Sequence, residues 1–147
     1  MKLTSSAFSD GQILPVASTC DGQGVSPPLA ISDVPSAAQS LALIVEDPDA
    51  PGGIFVHWVA WNIAPTIREL AQGQVPQGAV EGATSTGKSG YVGACPPTGS
   101  HRYLFRLFAL DTSLDLSSST DRAALQQAMQ GHILAETLLT GHYLRAK

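Results

Sequence analysis

Four side chains in this 147-residue sequence are the best placed to do chemistry: Asp47, Asp49, His57 and His101. Imidazole and carboxylate together can hold a metal ion. They can equally build an anion pocket. In that arrangement Asp47 accepts a hydrogen bond from one imidazole nitrogen and orients the ring, and the other nitrogen faces the ligand. A Gly- and Pro-rich run, Gly93-Ala94-Cys95-Pro96-Pro97-Thr98-Gly99, comes just before His101. Its backbone N–H groups can donate to phosphate or carboxylate oxygens. Pro96 and Pro97 have no N–H to give; they stiffen the run and lower the cost of ordering it around a ligand. The sequence has no Gly-x-Ser-x-Gly elbow and no His-Glu-x-x-His pair. Neither Cys20 nor Cys95 lies in a nucleophile signature or a metal-ligand spacing.

A second motif competes. Gly82-Ala83-Thr84-Ser85-Thr86-Gly87-Lys88-Ser89 fits the G-x-x-x-x-G-K-[ST] phosphate loop at every position. Read alone, it puts Lys88 on nucleotide phosphates and Ser89 on magnesium. Such a loop works between a buried strand and a helix N-terminus. Here Gln74–Glu81 precedes it and Gly90–Pro97 follows, and neither reads as the element required. A flexible Gly/Ser/Thr loop is the expected structure.

Three strands must position the first constellation. Ser40–Glu46 (SLALIVE) is short, apolar and bounded by turn residues, as a buried strand is. The next segment, Asp47-Pro48-Asp49-Ala50-Pro51-Gly52-Gly53, has too much Pro and Gly for a ladder and must be a loop. Ile54–Ile63 is the second strand, in antiparallel hairpin with the first. Its alternation predicts that Phe55, His57, Val59, Trp61 and Ile63 share a face. His101–Leu110 is the third strand, with His101, Tyr103, Phe105, Leu107 and Ala109 on one face. If the three are neighbours, the aspartates and histidines converge at the strand mouths. Between them, Ala64 to Cys95 shows little periodicity, and so long a weakly structured stretch is often functional. One helix is expected over Thr120 to Gln130, capped by Thr120, ended by Gly131, and buried through Ala124, Leu125, Ala128 and Met129. His132–Leu144 reads either as more helix or as a last strand.

Composition bounds the rest. The length suits a single domain over 1–147. Only 14% of residues are charged and the net charge is −4, so the basic stripe of a nucleic-acid binder is missing. Fourteen glycines and ten prolines, with no helix-period run before the last third, lean towards β structure. The apolar runs Leu41–Val45 and Trp58–Trp61 are far short of the ~20 residues of a membrane-spanning helix. The N-terminus carries no hydrophobic signal region, so a cytoplasmic location is expected. Cys20 and Cys95 are treated as thiols by default, a single bridge between them being the other arrangement.

These stretches together resemble the phosphatidylethanolamine-binding protein family, in its small prokaryotic branch of YbhB/YbcL, Raf-kinase-inhibitor-like proteins. The resemblance runs along nearly the whole chain. Its strongest parts are Asp47-Pro48-Asp49-Ala50-Pro51 with His57-Trp58, and Cys95-Pro96-Pro97 with Gly99 and His101-Arg102-Tyr103. It implies a mostly β fold: a β-sandwich of a large antiparallel sheet and a smaller second sheet, with one or two short helices. It implies a small preformed pocket for phosphate, a phosphoethanolamine-like headgroup or acetate-like ions. Asp47, Asp49, Pro51, His57, Gly93, Cys95, Pro96, Pro97, His101 and Tyr103 carry over as its residues. Three positions depart from the branch: Ile31 replaces an aromatic, Ala94 a proline, and His142 a small polar residue. Ala94 leaves the pocket loop one proline short. The chain stops soon after its last expected element, so the C-terminal helix that lines the pocket in animal members looks absent, and a more open pocket follows.

The expectation is thus a non-enzymatic binding protein without cofactor. Its ligand is a small anion or a phosphorylated group. The resemblance adds a kinase-inhibitor-like regulatory role, a protein partner and a homodimer by analogy; nucleic acid and stable membrane insertion are not expected. The rival from another class is a metal-dependent hydrolase using His57, His101 and an aspartate.

Overall fold

A strand that is apolar on both sides must be covered on both sides, and Ser40–Asp47 (β4) is buried at every residue. It lies in the middle of a six-stranded sheet, and the computed structural model, which describes residues 1–145, shows what covers each face. The strands are Lys2–Thr4 (β1), Gln12–Ile13 (β2), Leu29–Ser32 (β3), β4, Phe55–Ile63 (β5), Glu69–Leu70 (β6), Val80–Glu81 (β7), His101–Leu110 (β8) and Ile133–Tyr143 (β9). The large sheet has the order β2-β9-β8-β4-β5-β7, and the small one β1-β3-β6. The three strands read from sequence are therefore adjacent, β8-β4-β5, with β4 antiparallel to both neighbours. The large sheet is mixed rather than purely antiparallel, because β2 runs parallel to the end of β9. The ambiguous C-terminal segment is strand: β9 pairs with the full length of β8, which fixes it against a helix.

One face of the large sheet packs Leu41, Leu43, Val45, Tyr103, Phe105 and Leu107 against Leu3, Leu29, Ile31 and Leu70 of the small sheet. This is the sandwich core. The opposite face packs Ala42, Ile44, Val59, Trp61 and Phe108 under the helix Arg122–Met129 (α1). Each fully buried large apolar side chain here contributes roughly 1.5–3 kcal/mol relative to exposure. The helix begins later than the sequence suggests. Asp121, not Thr120, is its cap, its carboxylate accepting the Ala124 N–H at 2.9 Å. Gly131, at φ 81°, follows it in the left-handed conformation. Ala124 is exposed, and the buried stripe narrows to Leu125 and Met129 with Ala128 beside them. Arg122 also faces the sheet, where Glu46 binds both it and Arg106.

The predicted face of β5 needs correction. Phe55, His57, Val59, Trp61 and Ile63 do not share one side, because two bulges shift the alternation. At the first, Val45 opposes Trp58 and Glu46 opposes Val56, so His57 is the extra residue. At the second, Leu43 opposes Ala60 while Leu41 opposes Ile63. Asn62 turns that corner at φ 56°, its amide exchanging hydrogen bonds of 2.7 and 2.8 Å with the Leu114 backbone. Val59 and Trp61 thus face the helix, and Ile63 faces the small sheet.

The phosphate-loop look-alike is a closed turn. Val80–Glu81 before it is a two-residue edge strand, and Ala83 bridges Ser89 across it. Thr84 Oγ1 donates to the Lys88 carbonyl at 2.7 Å. No helix starts after Ser89 among the described residues until α1.

Candidate functional site

Period-2 alternation carries the inward face of the large sheet past the small sheet to the strand mouths. On β4 the row Leu41, Leu43, Val45 ends in Asp47; on β8 the row Leu107, Phe105, Tyr103 ends in His101. The bulge adds His57 to this row beside Phe55, their ring centroids 4.8 Å apart, with Tyr103 at 5.3 Å on the other side. Here the small sheet no longer covers the face. The Val92–Pro97 segment does, and a cavity of about 300 Å³ remains beneath it.

Asp47, Pro51, His57, Gly93, Cys95, Pro97, His101 and Tyr103, all predicted from sequence, line this cavity. Ala50, Phe55 and Val92 line it too and were not anticipated. Phe55 is two residues before His57 on a strand, so its place was legible. Val92 acts through its carbonyl, which residue type does not reveal. Asp49 and Pro96 do not line the cavity. Pro96 is buried within the loop. Asp49 turns outward and grips Arg102: its carboxylate accepts from the Arg102 backbone N–H at 2.9 Å, from Nε at 3.0 Å and from Nη2 at 2.9 Å. These bonds hold its carboxyl down to about 2 and tie the Asp47–Gly53 loop to the start of β8.

Both histidines are oriented through Nδ1. His101 Nδ1 lies 2.6 Å from Asp47 Oδ2, and the two side chains are buried. His57 Nδ1 donates to the Val92 carbonyl at 2.8 Å. The expected carboxylate role thus holds for His101, while a backbone oxygen serves His57. Neither Nε2 has a protein partner among the described residues. Burial holds the His57 imidazole below its ordinary value, opposed in part by the bond to Val92 and by the Asp47 charge. The Tyr103 hydroxyl is fully buried with no hydrogen-bond partner among the described residues, and burial pushes its ionisation up, so it keeps its proton. Among the described residues, no three His, Cys, Asp or Glu side chains are grouped to hold a metal ion.

The covering loop is anchored covalently. Cys20 and Cys95 form a disulfide, correcting the default reading as thiols. The pairing follows from the fold: Thr19 bridges Ala94, the Cys20 N–H donates to the Ala94 carbonyl at 3.0 Å, and the Ala94 N–H to the Ser18 carbonyl at 3.2 Å. The Ala94 N–H is therefore spent inside the protein. Gly93 keeps the two segments close, since a Cβ there would sit 3.0 Å from the Thr19 carbonyl carbon and 3.1 Å from the Cys20 nitrogen.

Two packed sheets with a histidine-lined cavity at the strand ends define a β-sandwich domain. The chain belongs to the phosphatidylethanolamine-binding protein family, whose description matches residues 4–144. It is 47% identical over 150 residues to a UPF0098 protein of Methanothermobacter thermautotrophicus, covering 99% of each chain. A UPF0098 protein of Chlamydia muridarum is 46% identical over 97% of this chain and 98% of its own. Among solved structures, the phosphatidylethanolamine-binding protein homolog CT736 of Chlamydia trachomatis superposes with a TM-score of 0.95 at 44% identity, covering 98% of this chain and 97% of that one. YbcL of E. coli, described as a member of the mammalian PEBP family, superposes at 0.92 with 32% identity, over 99% and 98% of the two chains.

Proposed function

We propose that this protein binds small oxyanions, phosphate or a phosphoethanolamine-like headgroup, in the cavity between Asp47, His57 and His101, without turning them over. The observation that carries this reading is the pairing in one lining of two oriented imidazoles whose Nε2 atoms have no partner among the described residues. The volume, about 300 Å³, is at the small end for ligand sites and suits a headgroup or a phosphorylated side chain. Such a pocket fits recognition of phosphorylated partners.

The tautomers set the pH dependence. With Nδ1–H committed on both rings, a neutral imidazole offers only a lone pair at Nε2. Donating to an anion takes a second ring proton, and His101 is the ring whose added charge Asp47 balances. Anion binding therefore takes up a proton and strengthens as pH falls. Titrating the full chain with inorganic phosphate, followed by the imidazole NMR signals, tests this. Tighter binding at about pH 6 than at about pH 8 is expected. No shift of the His57 and His101 signals at about 10 mM phosphate, where even a millimolar site would fill, would overturn the reading.

A further inference from the structure

The anion-pocket reading, on which this inference rests, leaves open which phosphates fit, and the donors and acceptors of the lining answer that. A carbonyl oxygen can only accept, so the Val92 carbonyl at 2.8 Å holds the His57 proton on Nδ1. His57 Nε2 then presents a lone pair. Burial opposes a second proton on this ring. The charged or titratable groups facing it are Asp47 from β4, and His101 and Tyr103 from β8; the covering loop adds none, because Cys95 is in the disulfide. Of the two rings, His101 is the one bonded directly to a carboxylate, so the added proton goes there. The Tyr103 hydroxyl keeps its own proton but is closed off by its neighbours, so no ligand atom reaches it. The lining thus offers a donor at His101 and a fixed acceptor at His57.

A ligand that satisfies both has an anionic oxygen and an O–H. Inorganic phosphate and phosphomonoesters have both while singly charged. A phosphodiester, including the phosphate of an intact phospholipid, has no O–H to donate. We propose that the pocket selects phosphomonoesters in their monoanionic form, with the P–OH donating to His57 Nε2, over phosphodiesters. A site built around a ligand hydroxyl rejects the analogue lacking it, because its own buried group is then left unpaired.

Methyl phosphate and dimethyl phosphate are the probes, titrated into the full chain by NMR at about pH 5.5, where the monoester is mostly monoanionic. Methyl phosphate is expected to bind at least about tenfold more tightly. The ratio should shrink towards one at about pH 8, as the monoester loses its P–OH. His57→Phe keeps a ring of similar size and removes the acceptor, so the ratio should collapse there as well. Equal affinities in the native chain overturn the inference while leaving the anion pocket intact. So does a preference that survives in His57→Phe, since that is steric. Should the variant not fold, the pH series on the native chain decides alone. Failure of inorganic phosphate and both esters to bind overturns the pocket reading together with this one.

Discussion

Asp47 and His101, separated by 54 positions in the chain, meet as a buried pair with Asp47 Oδ2 2.6 Å from His101 Nδ1. The carboxylate does two jobs: it fixes the ring, and it supports a positive charge at Nε2. Asp47→Asn keeps the shape and an acceptor oxygen but loses the charge. Phosphate affinity at about pH 6 should fall about tenfold, because the carboxylate that balances the charged ring is gone. Thermal stability should change little. Asp47→Ala, which also leaves the Nδ1–H unpaired, should cost about 1–3 kcal/mol of stability in addition. Isothermal titration and thermal unfolding of both variants check this.

His57 makes the ligand-free fold sensitive to acid. Its folded value lies below its unfolded one, so the unfolded chain binds more protons in that window. Stability then rises with pH there, and is progressively lost as pH falls below about 6.5, until the folded value is reached. His57→Phe should flatten this part of the profile, measured by urea unfolding across pH. Identical slopes in native and variant protein would contradict the assignment.

The disulfide closes a loop with a sequence separation of 75 and holds the roof of the pocket on the Ser18–Cys20 segment. Reduction, or Cys20→Ser with Cys95→Ser, should cost about 2–4 kcal/mol through the entropy returned to the unfolded chain. Phosphate should also bind less tightly, because the roof must then be ordered by the ligand. Unfolding and phosphate titration with and without a reductant separate the two effects.

Gly82 and Lys88 test the phosphate-loop look-alike. A Cβ on Gly82 would lie 2.3 Å from the Thr120 carbonyl oxygen and 2.5 Å from the Trp61 ring. Gly82→Ala should therefore destabilise by about 1–3 kcal/mol, as overpacking does. Lys88 makes no side-chain hydrogen bond among the described residues. Lys88→Ala should leave both stability and phosphate binding unchanged. Magnesium-dependent ATP binding that Lys88→Ala abolishes would sink this view of the loop.

The sequence by itself determined the three central strands and their hairpin order, while Pro51 and Tyr103 of the pocket lining came from the family resemblance. The physical reason is that a doubly covered strand needs an unbroken apolar run, as in Leu41–Val45, and Pro- and Gly-rich segments cannot enter a ladder. Period-2 alternation then put His101 and Tyr103 on the inward face of β8, where they lie. Only the tertiary structure decided the rest. The bulge at His57 depends on how β5 registers against β4, which its own alternation does not encode. The outward turn of Asp49 depends on Arg102 being within reach. The Cys20–Cys95 bond and the Val92 carbonyl that sets the His57 tautomer depend on two distant loops being laid side by side. Local sequence specifies which way a side chain points from its own strand; what it meets there is set by chain segments far away in sequence.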